Sequence, residues 1–513
     1  MPVLQNHKIH TVSIQVEFEG MEEGLGVQDS LGQCFYEKIK PALDSAFDQY
    51  GDPNRTLVID RLEVDCGKIP YENWEAVLVQ RIIKQLGEEL NSPEKNNTAS
   101  ISMENKATDV FFFFLQKGYF PWNSPFSTPK DLEKAIVFDT AFVNDLENKS
   151  EMSSVLTERL FRSFDKDFIS NIFKSLCQNS SPQITSLVKD LQASAEAIVQ
   201  KELMQILIFF SKNRRTTSMV SFLKILISNL SMESLSYFAD YLSREMPSEK
   251  KIREGLRFLL SETTSPDFRR KFIFVIEIIN KRDPGILEKA GISAKEIDFG
   301  KTGSILENNL EKSRLSDNAL QNSHAQEKPD IPADQWDRKE QINLEPDDGI
   351  FIENAGLVLL HPFLVGLFSN LQLTENREFV AIHEQFVAAK ILQFLVFGEN
   401  DHTENFFPLN KILCGIGLTQ VLDCELELSP ESKAECGELL KEVVRHWAVL
   451  KNTSVAGLRE TFLQRKGKIS RAEKGWKLQV ERKAVDVLLA KLPWGLGIIK
   501  LPWMDEMMFL EWE

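Results

Sequence analysis

The chain has 513 residues, of which 42% are hydrophobic and 27% charged, so it is long enough for two or three domains of ordinary size, each with a sizeable core. Its formal charge of −16 excludes a protein whose whole surface is made for nucleic acid or an anionic membrane. Six cysteines, Cys34, Cys66, Cys177, Cys414, Cys424 and Cys436, lie scattered without a C-x-x-C pair, which fits reduced thiols in a cytoplasmic chain better than a disulfide framework or a zinc site.

In chain order, Val12, Ile14, Val16 and Phe18 alternate with polar residues and predict a first strand with one buried face. Leu31, Phe35, Ile39, Leu43 and Phe47 recur at helical spacing, with Pro41 as a local conflict that predicts a kink or a restart. Residues 57–66 read as a second strand and residues 74–90 as a second helix with Trp74, Val77, Leu78, Ile82 and Leu86 inward. This βαβα order predicts a small α/β module. It has no glycine-rich phosphate turn, because Gly24-Leu-Gly26 lacks the third glycine.

A polar spacer, 91–108, precedes the run Asp109-Val-Phe-Phe-Phe-Phe-Leu115. From there to about residue 290 the pattern is helical, rich in Phe, and interrupted by Pro129, Pro182, Pro247, Pro266 and Pro284. No fixed repeat and no sustained heptads appear, so short helices in a bundle or irregular stack are expected and a long coiled coil is not. Residues 300–348 are dominated by polar residues and read as a flexible linker. The C-terminal part then shows helical stretches near 355–371, 377–397 and 431–451, and a helix with Val455, Leu458 and Phe462 on one face. Beyond Gly467 the period changes. Ile469 leads to a turn ending at Gly475, and Trp476, Leu478 and Val480 alternate with polar residues, as in a hairpin strand. A short helix with Val485, Leu488, Leu489 and Leu492 follows, then two Leu-Pro-Trp triplets, at Trp494 and Trp503, and a closing apolar run from 507 to 510.

The expected fold class is therefore mainly α. It comprises a small α/β module (1–92), a helical region (93–299), the polar linker (300–348) and a C-terminal α+β domain (349–513) with a β-hairpin and a terminal strand. No basic–apolar–small-residue leader opens the sequence, and no apolar run approaches the ~20 residues of a membrane helix.

Catalytic and metal chemistry find little support. His383-Glu-Gln-Phe-Val387 fails the H-E-x-x-H pattern because Val387 stands where the second histidine is needed. His361 sits in an apolar setting before Pro362, as a packed histidine does. Glu63 and Asp65 share a strand face with Arg61, and nothing else acidic converges on them. Cys414 has no neighbouring base to lower its thiol pKa. No catalytic residue, no metal ligand set and no cofactor site is expected.

Several long words in the sequence resemble one family. They are Ile59-Asp-Arg-Leu-Glu-Val-Asp-Cys-Gly67, Phe113-Phe-Leu-Gln-Lys-Gly-Tyr-Phe-Pro-Trp122, Phe351-Ile-Glu-Asn-Ala-Gly-Leu-Val-Leu-Leu-His-Pro-Phe363 and Leu409-Asn-Lys-Ile-Leu-Cys-Gly415. To these add the C-terminal stretch 451–512 with its helix, hairpin, both Leu-Pro-Trp triplets and terminal Glu-Trp. Together they resemble the tape measure protein family of contractile injection systems. The resemblance covers both ends of the chain and leaves roughly 130–345 unmatched. It implies a non-enzymatic assembly component whose partners are the inner tube, the baseplate and cap or terminator proteins. The implied location is the cytoplasm, within a particle that is later released. Self-association stays open.

Two features mark candidate interface residues. Five of the eight tryptophans fall in the last 67 residues, and residues 441–483 hold twelve Lys/Arg against four Glu, a local +8 that leaves −24 elsewhere. Tryptophan is a frequent interface anchor and an equally frequent core residue. The candidates are Trp122, Trp476, Trp494, Trp503 and Trp512, with Arg459, Arg465, Lys474 and Lys477. A helix-rich segment with a basic hairpin also resembles a winged helix carrying Lys474 and Lys477 on its wing; the acidic charge elsewhere disfavours nucleic acid as the partner. A simple ruler meets a physical limit as well. About 200 residues between the signature-bearing ends measure only ~300 Å even as one helix, so an adaptor, cap or assembly factor is the alternative reading.

Overall fold

The computed structural model describes residues 7, 9, 12–17, 24–50, 55–59, 62–90, 98–149, 154–194, 196–212, 218–245, 250–261, 265–282, 349–399, 402–450 and 453–512. Two compact units result: Met1–Val137 with Pro346–Glu513, and Phe138–Glu345. The sequence expected as a linker, 300–348, lies outside the described residues. The chain is mainly helical with a small C-terminal sheet, as its apolar periodicities imply.

In the first unit, α1 (Gly24–Cys34) and α2 (Lys40–Tyr50) are joined by a π-turn, Phe35–Ile39, with no break. The turn answers Pro41. Proline has no N–H to offer the carbonyl of Glu37, and its ring crowds that oxygen. Widening the turn, so that Lys40 N–H reaches Phe35 O, carries the helix past the conflict. Cys34 and Ile39 then pack on Leu78 of α3 (Trp74–Leu90), with Leu31, Phe35, Leu43, Trp74 and Ile82 around them. The second strand is shorter than expected. Strand β1 (Arg55–Ile59) pairs antiparallel with β2 (Thr98–Ser102), while residues 62–70 run without strand structure along α3. There Arg81 donates to the carbonyls of Cys66 and Lys68, and Asp65 accepts from Gly67 N–H at 2.9 Å.

Two expectations are corrected here. Residues 12–17 form no strand, and Val12, Ile14 and Val16 are exposed. The polar stretch 91–108 is not a spacer over 98–108: it holds β2 and the start of α4 (Met103–Lys117). Ala107, Val110, Phe111 and Phe114 are fully buried and fall at i, i+3, i+4 and i+7 on one face of the helix, and Phe112 and Leu115 extend the buried surface around it. Gly118, at φ +79, ends α4 with its N–H on Phe114 O. Helix α5 (Pro129–Ala135) follows.

The second unit contains α6 (Thr140–Lys149), α7 (Ser154–Ser163), α8 (Lys166–Leu176), α9 (Pro182–Ser194), α10 (Ala197–Lys212), α11 (Met219–Asn229), α12 (Met232–Glu245), α13 (Lys250–Ser261) and α14 (Pro266–Arg282). Helix α10 touches α6, α7, α8, α9, α11 and α12. It accordingly buries residues on most of its circumference, among them Leu203, Met204, Leu207 and Phe210. The prolines start helices here and do not break them. Pro129, Pro182 and Pro266 are each the first residue of a helix, preceded by Thr128, Ser181 and Ser265, whose hydroxyls accept from the first turn. Pro247 and Pro284 lie outside the described residues.

The C-terminal part of the first unit is built on a five-stranded sheet. The order is β3 (Ile350–Ile352), β6 (Gly467–Ala472), β7 (Gly475–Val480), β9 (Met507–Glu511), β8 (Ile498–Ile499), antiparallel except for β7 against β9. Ile350, Ile352, Ile469, Leu478, Ile499 and Met508 are buried on one face, the period-2 pattern of a half-buried sheet. Also in this part are α15 (His361–Asn370), the hairpin β4 (Thr374–Glu375) and β5 (Glu378–Phe379), α16 (Ile382–Phe397), α17 (Pro408–Leu413), α18 (Pro430–His446) and α19 (Val455–Leu458). The expected hairpin and terminal strand are present, and the short helix near 485–492 is a 3-10 helix, Ala484–Lys491. The helix expected from 377 begins at Ile382, because Asn376 and Arg377 take positive φ to turn the β4–β5 hairpin.

Candidate interface of the C-terminal part

Both Leu-Pro-Trp triplets are docked on upstream words of the sequence. Trp494 donates its indole N–H to Leu359 O at 3.1 Å, and Trp503 donates to Leu413 O at 2.8 Å. Leu359 belongs to the word ending at Phe363, and Leu413 to the word ending at Gly415. The proline before each indole fixes an extended approach. Trp494 meets the Phe363 ring edge-on at 5.1 Å, and Trp503 packs on Phe368 and Phe379. Both indoles remain half-buried, whereas Trp476 and Trp512 lie in the core. Trp122 is half-buried in the turn after α4.

Four cations of the basic stretch, Arg459, Arg465, Arg471 and Lys477, are held within the fold, whereas Lys466, Lys474 and Arg482 are exposed. Arg465 has no exposed surface; its guanidinium pairs with Asp486 and donates to Thr461 O at 2.7 Å and Glu481 O at 3.2 Å. Asp486 also accepts from Trp512 Nε1 at 3.1 Å and from Lys483 N–H at 2.8 Å. One carboxylate therefore joins the start of β6, the 3-10 helix and the chain terminus. Arg459 donates to Leu395 O at 2.9 Å and Phe394 O at 3.2 Å, satisfying carbonyls in the last turn of α16. Lys477 pairs with Glu511 at 2.7 Å and, by that hydrogen bond, holds the Glu511 carboxyl below its ordinary range. Arg471 lies 3.9 Å over the ring of Trp476, its cross-strand neighbour, and pairs with Glu506. Lys474 is exposed at the hairpin turn and makes no ion pair among the described residues.

The hairpin is an interior part of the sheet, with β3 on one side and β9 on the other. A wing would stand free. The histidines are likewise unremarkable: His361 Nδ1 bonds Val358 O at 3.0 Å, with burial lowering its pKa, and His383 is exposed. Cys414 is buried, which raises its thiol pKa well above the ordinary value. Among the described residues no cluster of His, Cys, Asp and Glu could hold a metal ion, and no helix is long and apolar enough to cross a membrane.

Sequence reasoning missed the polar interior of this part. Asn354 Nδ2 donates to Asn410 Oδ1 at 2.7 Å, Asn410 Nδ2 donates to Gln393 Oε1 at 2.9 Å, and all three residues are buried. Lys411 is buried with Glu404 at 2.6 Å and donates to Gln420 O at 2.7 Å, tying down the chain after α17. Asn354, Asn410 and Lys411 belong to the quoted words, and that was the available signal.

No curated protein and no solved structure matches the chain. A family model does: that of the contractile injection system tape measure protein, over residues 6–512. It spans both word-bearing ends and the middle that the resemblance left unmatched, so the chain belongs to the contractile injection system tape measure protein family, structural components of phage-tail-like injection particles.

Proposed function

We propose that this chain acts as an adaptor or cap during assembly of the particle, contacting the inner tube and the baseplate or cap proteins, and not as a ruler stretched through the tube lumen. One observation carries this reading. Asn405 Nδ2 donates to Ser127 O at 3.0 Å, although 278 residues separate them. As one helix those residues would span about 420 Å. A chain that keeps this contact holds its two signature-bearing ends together, and its middle leaves and re-enters the same unit. Nucleic-acid binding loses support, because the basic hairpin is interior to a sheet and Arg459, Arg465, Arg471 and Lys477 are all engaged within the fold.

The experiment is to delete helices from the second unit, α12 to α14 for example, and measure particle length by electron microscopy. An adaptor gives particles of unchanged length, or no particles. Length falling in proportion to the residues removed would establish a ruler and end this proposal.

A further inference from the structure

The second Leu-Pro-Trp triplet also builds a surface feature. Trp503 and Asp505 form one side of an open groove of about 440 Å³; Glu378 and Phe379 of β5, with Ile382 and Gln385 of the first turn of α16, form the other. The rings of Phe379 and Trp503 lie 4.9 Å apart. At the rim Val380 is 59% exposed and Ile382 48%, so the apolar surface continues outward where solvent meets it. The indole bond to Leu413 fixes Trp503, and Gln385 Nε2 donates to Cys414 O at 3.3 Å. The groove is therefore set by fixed elements, not by loose side chains.

Its charge has one sign. Glu378 and Asp505 are exposed and make no ion pair among the described residues, and no Lys or Arg lines the groove. Glu384, in the same helical turn as Gln385, has one carboxylate oxygen shut off from solvent with no hydrogen-bond partner. Of the nearest cations in sequence, one is engaged and the other is exposed next to Glu378 in the chain. Lys500 donates to Met504 O, and Arg377 stands at the exposed hairpin turn with φ +68. Two exposed carboxylates beside Ile382 and the edges of Phe379 and Trp503 repel anionic surfaces and favour a ligand that carries the opposite charge next to an apolar side chain.

We propose that this groove docks an extended segment of a partner protein, in which an aromatic or aliphatic anchor is flanked by Lys or Arg. The anchor packs against Ile382 and the open edges of the touching Trp503 and Phe379 rings, and the flanking cations pair with Glu378 and Asp505. A second copy of this chain, which carries exposed cations of its own such as Lys466, Lys474 and Arg482, is the other occupant, and the test separates it from a partner segment. The inference holds whether the chain is an adaptor or a ruler.

The test is selection from a phage-displayed library of short random peptides on the full-length protein, with the Glu378→Lys/Asp505→Lys variant for counter-selection. Both positions are exposed, so the variant keeps its fold, which circular dichroism verifies. Enriched peptides should combine Lys or Arg with Phe, Trp, Leu or Met. A synthetic peptide of that sequence should bind the charge-reversed protein about tenfold or more weakly, and should bind an Ile382→Asp variant more weakly than wild type. Enrichment without basic residues, no enrichment over the variant, or affinity unchanged by charge reversal would overturn the proposal. Self-association of the wild-type chain that the same two substitutions abolish would overturn it in favour of a second copy.

Discussion

Trp503 donates its indole N–H to Leu413 O, and Gly415, two residues beyond Leu413 at φ +70, lies so close that a Cβ there would stand 2.5 Å from Trp503 O. Trp494 makes the equivalent bond to Leu359, within the word that contains Gly356. A Cβ on Gly356 would come 1.7 Å from Phe462 O. The separated words of the sequence are thus surfaces of one fold that press on each other.

Trp503→Phe keeps most of the apolar ring and removes the donor, leaving the Leu413 carbonyl without this partner. The expected loss is about 1–3 kcal/mol. Gly415→Ala should cost more, since it combines an unfavourable φ with a backbone clash. Urea unfolding of both variants checks the order.

The Arg465–Asp486 pair is buried on both sides. Removing one partner leaves an uncompensated charge, so Arg465→Ala should destabilise by about 3–5 kcal/mol. Arg465→Met with Asp486→Leu removes both charges at similar volume and should cost less than Arg465→Ala alone. A double-mutant cycle by chemical denaturation measures the coupling. Additive single and double effects would show that the pair does not stabilise the fold as a unit.

Which parts of this fold were legible follows from where the information sits. The hairpin was readable because Trp476, Leu478 and Val480 alternate locally, and Trp74–Leu90 because its apolar period is helical over its whole length. Helix α4 is readable from Asp109 on, where Val110, Phe111 and Phe114 carry the period, but Glu104, Asn105 and Lys106 give its first turn the composition of a spacer. The partners of the Leu-Pro-Trp indoles were not readable, since each is a main-chain carbonyl some 90 residues or more away, and a carbonyl has no residue identity. The groove was hidden for the same reason. Glu378, Phe379 and Asp505 gain their meaning only when β5 and the final loop meet.

Burial pushes the thiols of Cys177, Cys424 and Cys436 from 9.0 up to about 12. In the unfolded chain these groups ionise near the ordinary value while the folded chain keeps its protons. The folded pKa is raised, so the stabilising contribution is complete below about pH 9 and declines as pH rises towards 12. Each thiol then contributes a slope of up to ~1.4 kcal/mol per pH unit. Guanidinium midpoints should fall between pH 9 and 10.5 by more than in a Cys177→Ala/Cys424→Ala/Cys436→Ala variant. Cys177 and Cys436, both buried, should also react slowly with an alkylating reagent in the native protein at pH 8 and fully once it is denatured.

A ruler that folds before assembly and is drawn out inside the tube would share the contact seen in the free chain. The decisive geometry is that of the assembled particle. Drawing the chain out would break the Asn405–Ser127 contact and disrupt the unit that both ends build, at a cost of the order of a domain's stability, about 5–15 kcal/mol, unless tube contacts replace it. Fluorophores placed on Cys residues introduced at the exposed positions Lys130 and Glu399, a few residues from Ser127 and Asn405, in a chain whose partly exposed Cys66 and Cys424 are replaced by serine, should show strong energy transfer both free and within purified particles. Transfer that is strong in the free chain and lost on assembly would mean that the chain is stretched, and the adaptor reading would fail.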